Sequence, residues 1–183
     1  MPASVLVRPA RSMHNGAAPN HGDTGERDPA RQMALDDDIR ILERVRLLGD
    51  FTPEQLRLLA FGAETMRLKA GRDLYAPGAA ADCAFVVAAG TVELYREADG
   101  RRLVLGTAGP AAMLGELALI SGGERLTGAT AATDIEVIRL NRSLFRRILE
   151  EYPDVAAALH ARIAGEMKAL VSRLEKLAPK FGG

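Results

Sequence analysis

The fold is decided by the stretch Gly115-Glu116-Leu117-Ala118-Leu119-Ile120-Ser121-Gly122-Gly123-Glu124-Arg125-Leu126-Thr127, called the cassette below. Leucine and alanine favour helix, so the residues from Glu116 to Ile120 predict about one helical turn. The small residues that follow end this turn and return the chain towards its start. The cassette therefore predicts a loop that places the Arg125 guanidinium near the beginning of a short helix.

This arrangement is typical of an anion site. Free backbone N–H groups at the start of a helix attract phosphate, and an arginine fork donates two hydrogen bonds to phosphate oxygens. The ionised Glu116 only accepts hydrogen bonds and suits hydroxyl groups such as those of a ribose. The same spacing fits a second interpretation, in which Glu116 and Arg125 form a buried ion pair in a loop that binds nothing.

The cassette lies within a region of short β-like runs separated by glycines, from about Met66 to Leu140. Asp99-Gly100 is a strong hairpin signal, and the runs on its two sides are expected to pair. Several short strands at this spacing predict an antiparallel sandwich or barrel. The runs are Phe85–Val87, Thr91–Arg96, Leu103–Leu105 and Ile135–Leu140.

Two helices are predicted before the barrel. The first begins near Asp36, because acidic residues favour a helix N-terminus, and ends before Gly49. Thr52 followed by Pro53 predicts the N-cap and the first residue of the second helix. The apolar positions of the first helix are Ile39, Leu42, Val45 and Leu48.

Two more helices are predicted after the barrel, one capped by Ser143 and one that runs from Pro153 to about Ala178. The second carries an apolar seam with heptad-like spacing, which favours either packing on its own barrel or a homodimer interface. Both interpretations stay open. The seam is Ile163, Met167, Leu170, Leu174 and Leu177.

The domain organisation follows from these patterns. We expect a disordered N-terminal tail over residues 1–34, which are rich in Pro, Gly and polar residues, and a short tail over 179–183. Between them we expect N-terminal helices at 35–65, the β core at 66–142 and the C-terminal helices at 143–178. The fold class is mainly β with flanking α.

Composition excludes several classes of function. The chain has 183 residues with 24 basic and 24 acidic ones, which gives no electrostatic reason to expect nucleic acid or a membrane surface as partner. The single Cys83 excludes an internal disulfide and favours a reducing cytoplasm. No apolar run approaches the ~20 residues that span a bilayer, and no signal peptide is expected.

Metal and catalytic sites are not expected. The histidines are His14, His21 and His160, of which two fall in the tail and one in the last helix, so they do not predict the metal cluster of a cupin-type barrel enzyme. No nucleophile–base pair stands out, and we therefore expect no enzyme.

The cassette resembles the phosphate-binding cassette of cyclic-nucleotide-binding domains. These domains occur in the catabolite activator family, in regulatory subunits of protein kinase A and in cyclic-nucleotide-gated channels. Residues 115–119 match the family run Gly-Glu-Leu-Ala-Leu, and Arg125 falls at the family spacing. The resemblance extends over residues 47–177 and implies a β jelly-roll barrel with helices at both ends.

The resemblance also implies a ligand, cAMP or less often cGMP, and roles for named residues. Glu116 would hold the ribose 2′-hydroxyl and Arg125 the cyclic phosphate. The remaining contacts would come from the backbone of Gly115, Leu117, Ala118, Leu126 and Thr127.

The sequence departs from the family pattern at three places. Leu126 stands where the family has Ala, Ser or Thr, and Ala111 stands where it has glycine. Positions that read the base in some members correspond to Leu170 and Val171, with Ser172 beside them. These residues predict an apolar cap over the purine rather than a polar contact.

The sequence suggests three functions to compare. The first is a sensor that binds a cyclic nucleotide and signals by movement of the C-terminal helix to a second copy or to another protein. The second is a ligand-free dimerisation or docking module. The third is a DNA-binding regulator, but its relatives carry a helix-turn-helix after the long helix and this chain stops at Gly183, so we expect no direct DNA binding.

Overall fold

A computed structural model describes the backbone of residues 29–177 and the side chains of residues 32–165. Its centre is a barrel of two four-stranded antiparallel sheets, with strand orders β1-β8-β3-β6 and β2-β7-β4-β5. The strands are β1 Glu64–Leu68, β2 Asp73–Tyr75, β3 Cys83–Ala89, β4 Val92–Ala98, β5 Arg101–Ala108, β6 Met113–Leu114, β7 Gly128–Ala131 and β8 Ile135–Asn141. The predicted fold class, a mainly β jelly-roll barrel with flanking helices, is confirmed.

Helices flank the barrel at both ends of the chain. They are α1 Pro29–Leu42, α2 Pro53–Phe61, α3 Leu117–Ile120, α4 Arg142–Glu151 and α5 Pro153–Leu177, with a short 3-10 helix at Arg46–Leu48. No described helix is both long enough and apolar enough to cross a membrane. The tail residues 1–28 and 179–183 lie outside the described part of the chain.

Strand β3 is buried on both faces, which explains why its sequence is continuously apolar instead of alternating. Cys83, Phe85 and Val87 pack inside the barrel with residues of β7 and β8. Ala84 and Val86 point the other way and pack against the helices. The barrel therefore has two hydrophobic clusters, and strands β3 and β8 contribute residues to both.

The predicted hairpin forms at Asp99-Gly100. Both residues have positive φ, 53° and 70°, as a two-residue turn that matches the twist of its strands requires. The turn joins β4 to β5, which pair along their length with one irregularity at Leu94 and Tyr95.

The first helix differs from its prediction at both ends. It begins at Pro29, so the last six residues of the predicted tail, 29–34, are helical; proline is well tolerated at the first position of a helix. It ends at Leu42, where hydrogen bonds to carbonyls three residues back, such as Val45 N–H to Leu42, tighten the chain into the 3-10 helix. The four predicted apolar positions are nevertheless all buried.

One predicted cap is confirmed and one is wrong. Thr52 caps α2, with Pro53 at the first helical position. Ser143 does not cap α4, because that helix already begins at Arg142. The Arg142 backbone N–H donates to Asp82 at 3.0 Å, and its guanidinium donates to the carbonyls of Ala81 and Ala118, so these bonds fix the helix start.

Candidate functional site

A cavity of about 550 Å³ lies between the cassette and the open end of the barrel. Strands β2, β4 and β6 contribute its wall, and the cassette contributes most of the rest. The lining residues are Tyr75, Ala81, Leu94, Met113, Leu114, Gly115, Glu116, Leu117, Ala118, Ser121, Gly122, Gly123, Glu124, Arg125, Leu126 and Thr127. The structure thus brings the seven predicted cassette ligand residues to one cavity.

Gly115 is required at the start of the cassette for two reasons. Its φ of +69° lies in the left-handed region, which side chains rarely adopt. In addition, a Cβ atom at this position would collide with Nη1 of Arg125. Any larger residue would therefore displace the guanidinium from its place beside the turn.

Helix α3 follows this glycine as the predicted single turn, from Leu117 to Ile120. The backbone N–H of Ala118 donates to the Gly115 carbonyl at 3.0 Å, so this donor, which was expected to face the ligand, is already used inside the cassette. The extended Ser121 ends the helix, as predicted.

Arg125 is buried although it is charged, with only 6% of its surface exposed. Its Nη2 donates to the Cys83 carbonyl at 2.7 Å and contacts the Cys83 sulfur at 3.3 Å. Its Nε and Nη1 are buried and have no hydrogen-bond partner within the described residues. Unsatisfied buried donors on a cation are costly, and an anion in the cavity would satisfy them.

Glu116 is exposed, in contrast to Arg125. Among the ion pairs found over residues 32–165, none joins these two side chains. The second interpretation of the cassette, a buried Glu116–Arg125 pair, is therefore wrong. Water solvates the Glu116 carboxylate, and no buried partner is needed to stabilise it.

An aromatic pair lies beside the guanidinium. The Arg125 Cζ is 4.5 Å from the centre of the Tyr75 ring and 5.5 Å from that of Phe85. Burial raises the pKa of Tyr75, while a hydrogen bond with the Thr127 side chain and the charge of Arg125 act in the opposite direction. The phenol therefore stays neutral at physiological pH.

The two residues after Arg125 differ in environment. Leu126 is 83% exposed at the cavity edge, so its bulk does not fill the cavity. Thr127 is partly buried and lines the cavity with Tyr75. Leu170, Val171 and Ser172, predicted to cap the base, fall on α5, but their side chains lie outside the described ones.

No metal site competes with this cavity in the described part of the chain. Histidine, cysteine and carboxylate side chains do not cluster there in groups of three or more.

Comparison with known proteins now identifies the family. The family model described as "Cyclic nucleotide-binding domain" matches residues 65–152. A cyclic nucleotide-binding-like protein from Brucella abortus is 57% identical, with a TM-score of 0.58 over 63% of this chain and 99% of the other. The chain belongs to the cyclic nucleotide-binding domain family.

Relatives of this cyclic nucleotide-binding domain include longer proteins. The CRP-like cAMP-activated global transcriptional regulator of Mycobacterium tuberculosis is 25% identical over 75% of this chain and 62% of the regulator. A lysophospholipase of Neosartorya fischeri is 29% identical over 74% of this chain but only 9% of the lysophospholipase. The match to the enzyme thus covers a small part of its length, and the chain spans less than two thirds of either relative.

Three residues that contact the site arginine were not predicted from the sequence. Tyr75, Cys83 and Phe85 reach Arg125 from strands β2 and β3, some 40 to 50 residues earlier in the chain. Only the pairing of β2 with β7 and the position of β3 in the barrel bring them there. Tyr75 lies on β2, which pairs with β7, the strand that directly follows the cassette. An aromatic residue on the pairing partner of β7 is therefore the signal that could have indicated it.

Proposed function

We propose that this protein is a sensor that binds cAMP in the 550 Å³ cavity. The observation that carries the proposal is the pair of buried, unpartnered nitrogens of Arg125. They are charged donors already held in place, which is the arrangement that favours recognition of a phosphate.

Other residues would hold the rest of the nucleotide. Glu116, exposed at the cavity edge, would accept a hydrogen bond from the ribose 2′-hydroxyl. The backbone of Gly115 and Leu117, with that of Leu126 and Thr127, would complete the cradle. The Ala118 amide is left out of this set because it is already bonded.

The choice of cAMP over cGMP rests on two supports. The Mycobacterium tuberculosis relative is named as cAMP-activated. Leu170 and Val171, the residues that correspond to base-reading positions, are apolar and would stack over a purine without hydrogen bonds to guanine. Binding would move α5, which would signal to a second copy or to another protein in the cytoplasm.

A ligand-free docking module is the alternative, and Leu126 favours it. An apolar side chain that is 83% exposed beside the cavity would suit a protein contact. In that case Arg125 would keep its two donors unsatisfied at all times. A DNA-binding role would require a further domain, as in longer regulators.

The test is isothermal titration of the protein with cAMP and then with cGMP. We expect cAMP to bind with a dissociation constant of about 1 μM or tighter, and cGMP to bind more weakly. Arg125→Ala should weaken cAMP binding by about 100-fold or more, because the phosphate charge loses its partner. Arg125→Lys keeps the charge but loses the fork, so its affinity should fall between the two.

Arg102→Ala is the matched control. Arg102 also lies over a tyrosine ring, 3.5 Å from the centre of Tyr95, but it does not line the cavity. Its loss should leave the cAMP affinity unchanged. If the wild-type protein binds neither nucleotide at millimolar concentration, the sensor proposal fails and the docking module takes its place.

A further inference from the structure

The guanidinium of Arg125 rests on an aromatic floor of two stacked rings. The ring centres of Tyr75 and Phe85 are 5.8 Å apart and their planes differ by 19°. Both rings lie within 6 Å of the guanidinium carbon, the range in which a cation is attracted to a ring face. This attraction offsets part of the cost of burying a charge that has two unsatisfied donors.

The two rings differ in what else they contact. Phe85 is 5% exposed and belongs to the barrel core. Tyr75 is partly buried and lines the cavity, as Thr127 of the cassette does. Of the two rings it is therefore the one that lies both beside the guanidinium and at the cavity.

The opposite side of the guanidinium is fixed by the backbone. Cys83 accepts a hydrogen bond from Nη2, and Gly115 leaves just enough room for Nη1. Without the Tyr75 ring, the guanidinium would keep the Cys83 hydrogen bond and the Phe85 ring but would lose the nearer of its two ring contacts, and solvent would compete for it. Ligand binding would then have to order and desolvate the Arg125 side chain, and this cost would lower the affinity.

We propose that Tyr75 is a positioning residue of the anion site. Its ring holds the Arg125 guanidinium in place before the ligand arrives. This inference rests on the proposed function, since it concerns the site that binds the cyclic phosphate.

The first measurement is the cAMP affinity of Tyr75 variants by titration calorimetry. Tyr75→Leu removes the ring and should weaken binding at least about 10-fold. Tyr75→Phe keeps the ring and should stay within about 3-fold of wild type. If Tyr75→Leu does not fold, Tyr75→Met takes its place, because the flexible Met side chain fills irregular gaps more readily.

Tyr152→Leu is the matched control for a general loss of stability. Tyr152 is also partly buried, but it packs against the helical cluster and does not line the cavity. The Tyr152→Leu protein should bind cAMP with the affinity of wild type. A Tyr75→Leu affinity within about 3-fold of the Tyr152→Leu value would overturn the proposal, as would an equal loss in Tyr75→Phe.

The second measurement needs no ligand. The Nε–H resonance of Arg125, assigned by its disappearance in Arg125→Lys, should carry a ring-current shift in wild type and in Tyr75→Phe. It should move towards the position of an exposed arginine in Tyr75→Leu; an unmoved resonance would contradict the positioning role.

The two measurements separate the two proposals. If wild type binds no cyclic nucleotide, the proposed function fails, and the resonance still decides whether Tyr75 positions Arg125.

Discussion

Burial of the Arg125 guanidinium destabilises the fold, but it also presents free hydrogen-bond donors to a ligand. Burying a guanidinium is unfavourable unless all its donors are satisfied, and here only Nη2 has a partner among the described residues. The rings of Tyr75 and Phe85 recover part of this cost. A cyclic phosphate in the cavity would satisfy Nε and Nη1 together, so binding would also stabilise the fold.

The proposed contact between Glu116 and the ribose can be tested by removing the 2′-hydroxyl from the ligand. If its carboxylate accepts the ribose 2′-hydroxyl, 2′-deoxy-cAMP should bind wild type about 10-fold more weakly than cAMP, as expected for a lost hydrogen bond to a charged group. In Glu116→Ala the two ligands should bind equally. Titration of both proteins with both ligands gives the coupling directly.

Glu124→Ala is the matched control, because Glu124 lines the same cavity and is also exposed. It should still discriminate between the two ligands. If discrimination is lost in Glu124→Ala and kept in Glu116→Ala, the ribose contact belongs to Glu124 instead.

Ala111 is a second residue whose conformation predicts a measurable effect. Its φ is +67°, a region that costs alanine roughly 1–2 kcal/mol relative to glycine. Ala111→Gly relieves this strain but adds freedom to the unfolded chain, so we expect it to raise the free energy of unfolding by about 0.5 kcal/mol. Chemical denaturation measures the change.

Ala112→Gly is the control, because Ala112 is not among the described residues with positive φ. Here glycine only increases the freedom of the unfolded chain and should destabilise the protein. Destabilisation of equal size by both substitutions would show that Ala111 is not strained.

At the scale of elements, helix boundaries were the least predictable feature of the chain. The start of α2 was correctly placed, because Thr52 and Pro53 are local signals that act within one turn. The start of α4 was not, because it depends on bonds from Arg142 to Ala81 and Ala118, which are remote in sequence. Local chemistry predicts an end only where the stabilising contacts are local.

The two predicted caps, of which only Thr52 forms, therefore make a matched pair of substitutions. Thr52 and Gln55 satisfy each other's backbone N–H groups, at 2.8 Å and 3.3 Å. Thr52→Ala should lower the free energy of unfolding by about 1 kcal/mol, whereas Ser143→Ala, at an exposed position inside α4, should change it little. Equal losses in urea denaturation would mean that the Thr52 cap contributes nothing specific.

At the scale of the whole molecule, α3 separates two cavities. The cavity of about 550 Å³ beside the cassette lies on one side. A second cavity, of about 310 Å³, lies on the other side, where α3 faces α4 and α5; its lining includes Leu119, Ile120, Leu149 and Ala156. Helix α5 is also joined, by an Arg162–Asp50 ion pair of 2.6 Å, to the segment between the 3-10 helix and α2. Helix α3 packs against α4 and α4 packs against α5, so a ligand-driven shift of α3 would have to reach α5 through α4.

Hydrogen exchange tests whether this shift reaches α5. Saturating cAMP should change the protection of α5 amides in wild type, and should leave them unchanged in Arg125→Ala, which does not hold the phosphate. Equal protection of α5 with and without cAMP in wild type would contradict signalling through this helix.

The barrel and its cavity could be predicted because their signals are local. The Asp99-Gly100 turn, the short strands and the cassette each act within a few residues, and together they indicated the fold and the seven cassette residues that line the cavity. The state of the charges could not be predicted, because burial of Arg125 and exposure of Glu116 depend on β2 and β3. For the same reason the aromatic floor went unseen.

The most direct test of the account is a crystal structure of the protein with cAMP. We predict the nucleotide in the 550 Å³ cavity, with a phosphate oxygen about 2.7–3.0 Å from Nε or Nη1 of Arg125. A nucleotide bound with its phosphate beyond hydrogen-bond reach of Arg125, or a cavity left empty at saturating cAMP, would contradict it.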